Sequence, residues 1–139
     1  MRHFSSIVIV FLLFLILGFQ SVAVADIIRP GSLLARSSGG NVVLNWVSDD
    51  ETNVLRYEIE RRAGTSGDFG YIASVDPKGP SFYEFIDHSA YRASATLYQY
   101  RVKVVFSDGS PPQYFGPVSV IHSVSGVRRT WGSIKAMFR

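Results

Sequence analysis

The nine residues from Tyr98 to Phe106 constrain the fold more than any other stretch of the chain. Tyr98, Tyr100, Val102, Val104 and Phe106 share one parity, while Gln99, Arg101 and Lys103 share the other. Successive side chains of a strand point to opposite faces, so a period of two sends the apolar set to one face and the polar set to the other. A helix would scatter both sets around its circumference. Ser107-Asp108-Gly109-Ser110 ends the segment with turn chemistry, and Pro111-Pro112 lengthens the loop before a last strand expected near Val118 to His122.

The same pattern recurs upstream. Asn41 to Trp46 reads as a strand with Val42, Leu44 and Trp46 on one face. Leu55 to Arg61 alternates more cleanly, which places Leu55, Tyr57 and Ile59 inward and Arg56, Glu58 and Glu60 outward. Gly64 to Gly70 reads as a hairpin turn leading into Tyr71 to Val75, and Asp76-Pro77-Lys78-Gly79-Pro80 stops that strand before another at Phe82 to Ile86. Short apolar segments separated by Gly, Pro, Ser and Asp are the pattern of an all-β sandwich or barrel. The chain has no cysteine, so no disulfide supports it and its stability rests on burial.

The first 25 residues differ in kind. Arg2 and His3 precede an unbroken apolar run from Ile7 to Leu17, and Ala23-Val24-Ala25 offers small side chains at the positions a signal peptidase admits. A secretory signal cleaved after Ala25 is expected, with Asp26 as the new N-terminus and a secreted or cell-envelope location. The rival reading is an uncleaved anchor, because Ile7 to Ala25 approaches the roughly 20 residues needed to cross a bilayer; Gln20, Ser21 and the small-residue exit weigh against it. Cleavage leaves 114 of 139 residues, enough for one core. Residues 26–126 carry nine Lys/Arg and eleven Asp/Glu, a net charge of −2, whereas Val127 to Arg139 carries four basic residues and no acid. The folded part therefore lacks the basic excess expected of a nucleic-acid binder.

Three pieces resemble fibronectin type III domains over roughly Pro30 to Ser123. They are Leu44-x-Trp46, Tyr57-x-Ile59-Glu60-Arg61-Arg62, and Tyr98-x-Tyr100-Arg101-Val102 followed by Asp108-Gly109. The second and third are most similar to bacterial exported members of that family. The resemblance implies an immunoglobulin-like sandwich of about seven antiparallel strands in two sheets, spanning residues 26–123, with Trp46 in the core and Tyr98 as the tyrosine corner. It does not imply a ligand, since the family hosts many unrelated roles. An exported, non-catalytic binding or structural module with a protein or carbohydrate partner at the cell surface is the expectation that follows.

Individual residues were weighed against that background. After cleavage only His88 and His122 remain, 34 positions apart, so with no cysteine neither a zinc pattern nor a Cys/His nucleophile assembles locally; both read as ordinary surface or strand-edge histidines. No catalytic, cofactor-binding or metal residue is assigned. Asp49-Asp50-Glu51 has the oxygens a hard cation wants, but adjacent acids on a loop read first as solvated. Gly64 to Gly70 lacks the following helix that a phosphate-cradling loop needs. The loop from Ser107 to Gly116 presents Tyr114 and Phe115 as a candidate partner-binding aromatic pair, with the alternative that one ring packs under the end of the sandwich.

Residues 124–139 form a basic, amphipathic C-terminal tail. Val127, Trp131, Ile134 and Phe138 recur at helical spacing, with Arg128, Arg129, Lys135 and Arg139 beside and behind them. Trp131, Ile134 and Phe138, with these four cations, are the tail's candidate contact residues. Three roles stay open: attachment to a partner or assembly, insertion at an anionic membrane surface, and folding back to complete the core.

Overall fold

The computed structural model describes residues 25–90 and 97–122. The expected signal segment, except its last residue, and almost all of the tail lie outside the described residues. Seven strands are present: β1 (Leu34–Ser38), β2 (Asn41–Val47), β3 (Val54–Ala63), β4 (Gly70–Val75), β5 (Phe82–Asp87), β6 (Leu97–Phe106) and β7 (Gln113–Ile121). All ladders are antiparallel, in a three-stranded sheet ordered β1-β2-β5 and a four-stranded sheet ordered β4-β3-β6-β7. The described residues contain no helix, and the two sheets enclose one core in a sandwich-like arrangement.

The alternation in β6 is realised residue by residue, because Tyr98, Tyr100, Val102 and Val104 are buried while Gln99, Arg101 and Lys103 are not. Across the core, β2 contributes Val42, Leu44 and Trp46. Trp46 stacks on Tyr83 of β5, with ring centroids 5.1 Å apart and planes 5° from parallel, and Tyr57 of β3 leans against both rings at centroid distances of 5.6 and 5.2 Å. Three large rings from both sheets thus meet in one cluster, burying apolar area that a cysteine-free domain depends on.

Two bulges correct the simple alternation. In β3 the register shifts between Val54 and Arg56, so Val54 faces Phe106 across the ladder and Leu55 is the extra residue. Val54 is buried and Leu55 is 47% exposed, which reverses the inward placement expected for Leu55. In β7 the register shifts where Gly116 and Pro117 lie opposite Arg101. The last strand consequently begins at Gln113, not near Val118, and Tyr114 and Phe115 sit on it instead of on a loop. Gly116 has φ of +102°, and a Cβ there would stand 3.1 Å from the carbonyl oxygen of Tyr100, so both conformation and space favour glycine.

Candidate functional site

The polar positions that sequence alternation sends outward assemble into one continuous surface, the outer face of the four-stranded sheet. Cross-strand pairing sets Glu58 beside Lys103, Glu60 beside Arg101 and Arg62 beside Gln99. Lys103 reaches across to β7, where Tyr114 is its ladder partner, and Tyr71 of β4 is the partner of Glu60. Arg101 is the centre of this face. Its guanidinium carbon lies 4.3 Å from the ring centroid of Phe69, which folds in from the β3–β4 hairpin, and 4.3 Å from that of Tyr114. Its Nε donates to Glu60. Arg62 stacks on Phe69 at 4.4 Å and donates to the Gln99 side chain through Nε and Nη2 and to the Gly67 carbonyl through Nη1.

Stacking and ion pairing hold these long side chains in place, each cation–π contact being worth about 0.5–1 kcal/mol where partly exposed. Glu58 accepts from Lys103 at 3.0 Å and from Arg56 at 2.7 Å. The Lys103 bond, then that of Arg56, holds the Glu58 carboxyl below its usual range against burial, and the same contact raises the Lys103 ammonium. Tyr71 lies along β4 because its hydroxyl is 3.0 Å from Ser74 Oγ. It is 60% exposed and Tyr114 50%.

Of the two aromatic residues expected to form a pair, the structure separates the roles. Tyr114 points outward against Arg101, whereas Phe115 is opposite Val102 on the inner side and packs against the core. Alternation within a strand sends neighbours to opposite faces, so they form no joint aromatic surface. Arg128, Arg129, Trp131, Ile134, Lys135, Phe138 and Arg139 lie outside the described residues. The loop that follows β6 does border a cleft of about 440 Å³, open to solvent, with Phe106, Asn53 and Pro111-Pro112 among its walls.

The acidic run is not a solvated cluster. Asp49 makes a two-bond pair with Arg29, Asp50 accepts from the Thr52 amide and hydroxyl, and Glu51 turns inward to the aromatic cluster. Burial pushes the Glu51 carboxyl up, but donation from the Tyr83 and Tyr57 hydroxyls and the Gly79 amide outweighs it and leaves the group lowered. Among the described residues no three His, Cys, Asp or Glu side chains are grouped to hold a metal ion.

A second buried polar group went unseen in the sequence. Arg61, on the inward parity of β3, donates to Asp87, which is 3% exposed and also accepts from the Tyr100 hydroxyl at 2.8 Å. Tyr98, expected to make the structural hydroxyl bond, has none: its buried Oη is without a partner. His122 is buried too, its Nδ1 2.8 Å from Ser37 Oγ, and is not a surface residue.

The chain matches no known protein-family model, and no curated protein is significantly similar to it. Fold and site together define an all-β, sandwich-like domain with a flat cationic and aromatic sheet face.

Proposed function

We propose that this protein is an exported, non-catalytic binding or structural module of the fibronectin type III kind, acting through a protein or carbohydrate partner at the cell surface. The family reading draws support from seven antiparallel strands in two sheets with Trp46 at their centre. Export draws support from the basic start, apolar run and small-residue exit of the first 25 residues. The observation that carries the binding reading is that Tyr71 and Tyr114 stay half-exposed or more while fixed on strands by Ser74 and Arg101. Rings immobilised before contact lose little entropy on binding, which is how aromatic anchors contribute affinity.

The test is retention on native cell envelopes, comparing the full chain with Tyr71→Ala/Tyr114→Ala and with a deletion of Val127 to Arg139. The binding-module reading expects the double substitution to release the protein. The alternative, an envelope protein anchored through its basic amphipathic tail, expects release by the deletion and by salt, with the double substitution silent. N-terminal sequencing of the exported protein should return Asp26; a chain beginning at Met1 would favour the uncleaved anchor.

A further inference from the structure

Among the described residues neither terminal nitrogen of Arg101 has an acceptor, although the guanidinium is clamped between Phe69 and Tyr114 and tied to Glu60 through Nε. An arginine held this way presents its planar pair of Nη donors at a fixed position. Such a fork matches a carboxylate with two parallel bonds. Lys103 stands one ladder pair away, opposite Tyr114. On the strands of this face four cations, Arg56, Arg62, Arg101 and Lys103, meet two carboxylates, Glu58 and Glu60, for a local charge of +2 on a folded part whose net charge is −2. From β4 to β7 is three strand spacings, roughly 14 Å, with a Tyr ring at each side.

We infer that this face binds an acidic polysaccharide, with a uronic-acid carboxylate on the Nη edge of Arg101 beside Lys103 and sugar rings lying against Tyr71 and Tyr114. The inference rests on the binding-module reading and names its partner. A protein partner fits less well, because interface centres are depleted of charge and here the charges occupy the middle. A nucleic acid or anionic membrane draws affinity from a strong field over many phosphates, and an excess of two charges does not supply one. A flat surface with a fixed carboxylate fork and flanking rings suits a chain of repeating carboxylates and apolar ring faces.

The test is calorimetric titration of the full-length protein with a galacturonic-acid oligomer, a glucose oligomer of equal length, and single-stranded oligodeoxythymidine. The acidic oligomer should bind at least about tenfold more tightly than either control. Arg101→Lys keeps the charge but loses the fork, and Tyr114→Ala removes half of the clamp; each should weaken binding by about tenfold with an unchanged melting temperature. Arg36→Gln, on the other sheet, removes the same charge that Arg101→Gln would and should change affinity by less than about threefold. Amide shifts on titration should centre on Tyr71, Arg101, Lys103 and Tyr114. Equal binding of a control oligomer, a silent Arg101→Lys, or shifts confined to residues after His122 would overturn the inference. If envelope retention still depends on Tyr71 and Tyr114 in that case, the binding module stands and only its partner changes.

Discussion

Tyr98 and Tyr100 lie two residues apart on the same face of β6, both buried, and differ in what their hydroxyls meet. The Tyr100 hydroxyl donates to Asp87, which burial pushes up but which Ser89, Tyr100 and Arg61 together hold below the usual carboxylate range. Tyr98 Oη is buried without a partner. Tyr100→Phe should therefore cost about 1.5–3 kcal/mol, the range for a hydrogen bond to a charged group, since it leaves Asp87 one donor short. Tyr98→Phe removes an unsatisfied polar atom and should be neutral or stabilising. Urea unfolding of the two variants checks this, and a larger loss at Tyr98 would place the key hydroxyl bond where the family resemblance expects it. The sequence shows two equivalent tyrosines; which one finds a carboxylate depends on Asp87 arriving from the other sheet.

At the scale of strands, β3 carries the clearest consequence of a bulge. Val54 is buried and Leu55, the larger and more apolar of the two, is turned to solvent. Val54→Ala should destabilise by about 1.5 kcal/mol or more, from two buried carbon groups at about 0.8 kcal/mol each plus the cavity left behind. Leu55→Lys should stay within about 0.5 kcal/mol, as for ordinary surface changes. Thermal or chemical denaturation with the order reversed would mean the register runs without the bulge. The bulge in β7 acts on function in the same way. By inserting one residue opposite Arg101 it lets Phe115 and Val118, three apart, both face inward while Tyr114 stays outside. Gly116→Ala, at positive φ and against the Tyr100 carbonyl, should destabilise by more than about 1 kcal/mol and weaken the Tyr114 contact to Arg101.

For the whole molecule, stability should form a plateau against pH. Glu51, Glu58 and Asp87 have lowered values in the folded state, so their contribution is present above the unfolded carboxyl values near pH 4 and is lost as pH falls through the folded ones. Tyr57, Tyr83 and Tyr100 are raised, first by burial, Tyr83 to about 12; their contribution is present below about pH 10 and is lost as pH rises through the folded values. Chemical denaturation should give constant stability from about pH 5 to 9 and a steep fall below about pH 4, with Glu51→Gln shallower on the acid side. Deleting Val127 to Arg139 leaves all seven strands, so the melting temperature should move by less than about 5 °C; a larger drop, corresponding to roughly 1 kcal/mol in a domain this size, would make the tail part of the fold. The sequence by itself determined the all-β class, the burial of Trp46 and the outward row of Gln99, Arg101 and Lys103, because strand periodicity and ring size are local properties. Tertiary structure alone decided that Leu55 faces out, that Tyr114 and Phe115 part company, that Glu51 turns inward and that Asp87 collects Arg61 and Tyr100. Bulges shift parity by one residue and buried polar groups choose partners from distant strands, and neither choice is encoded in the spacing of a single segment.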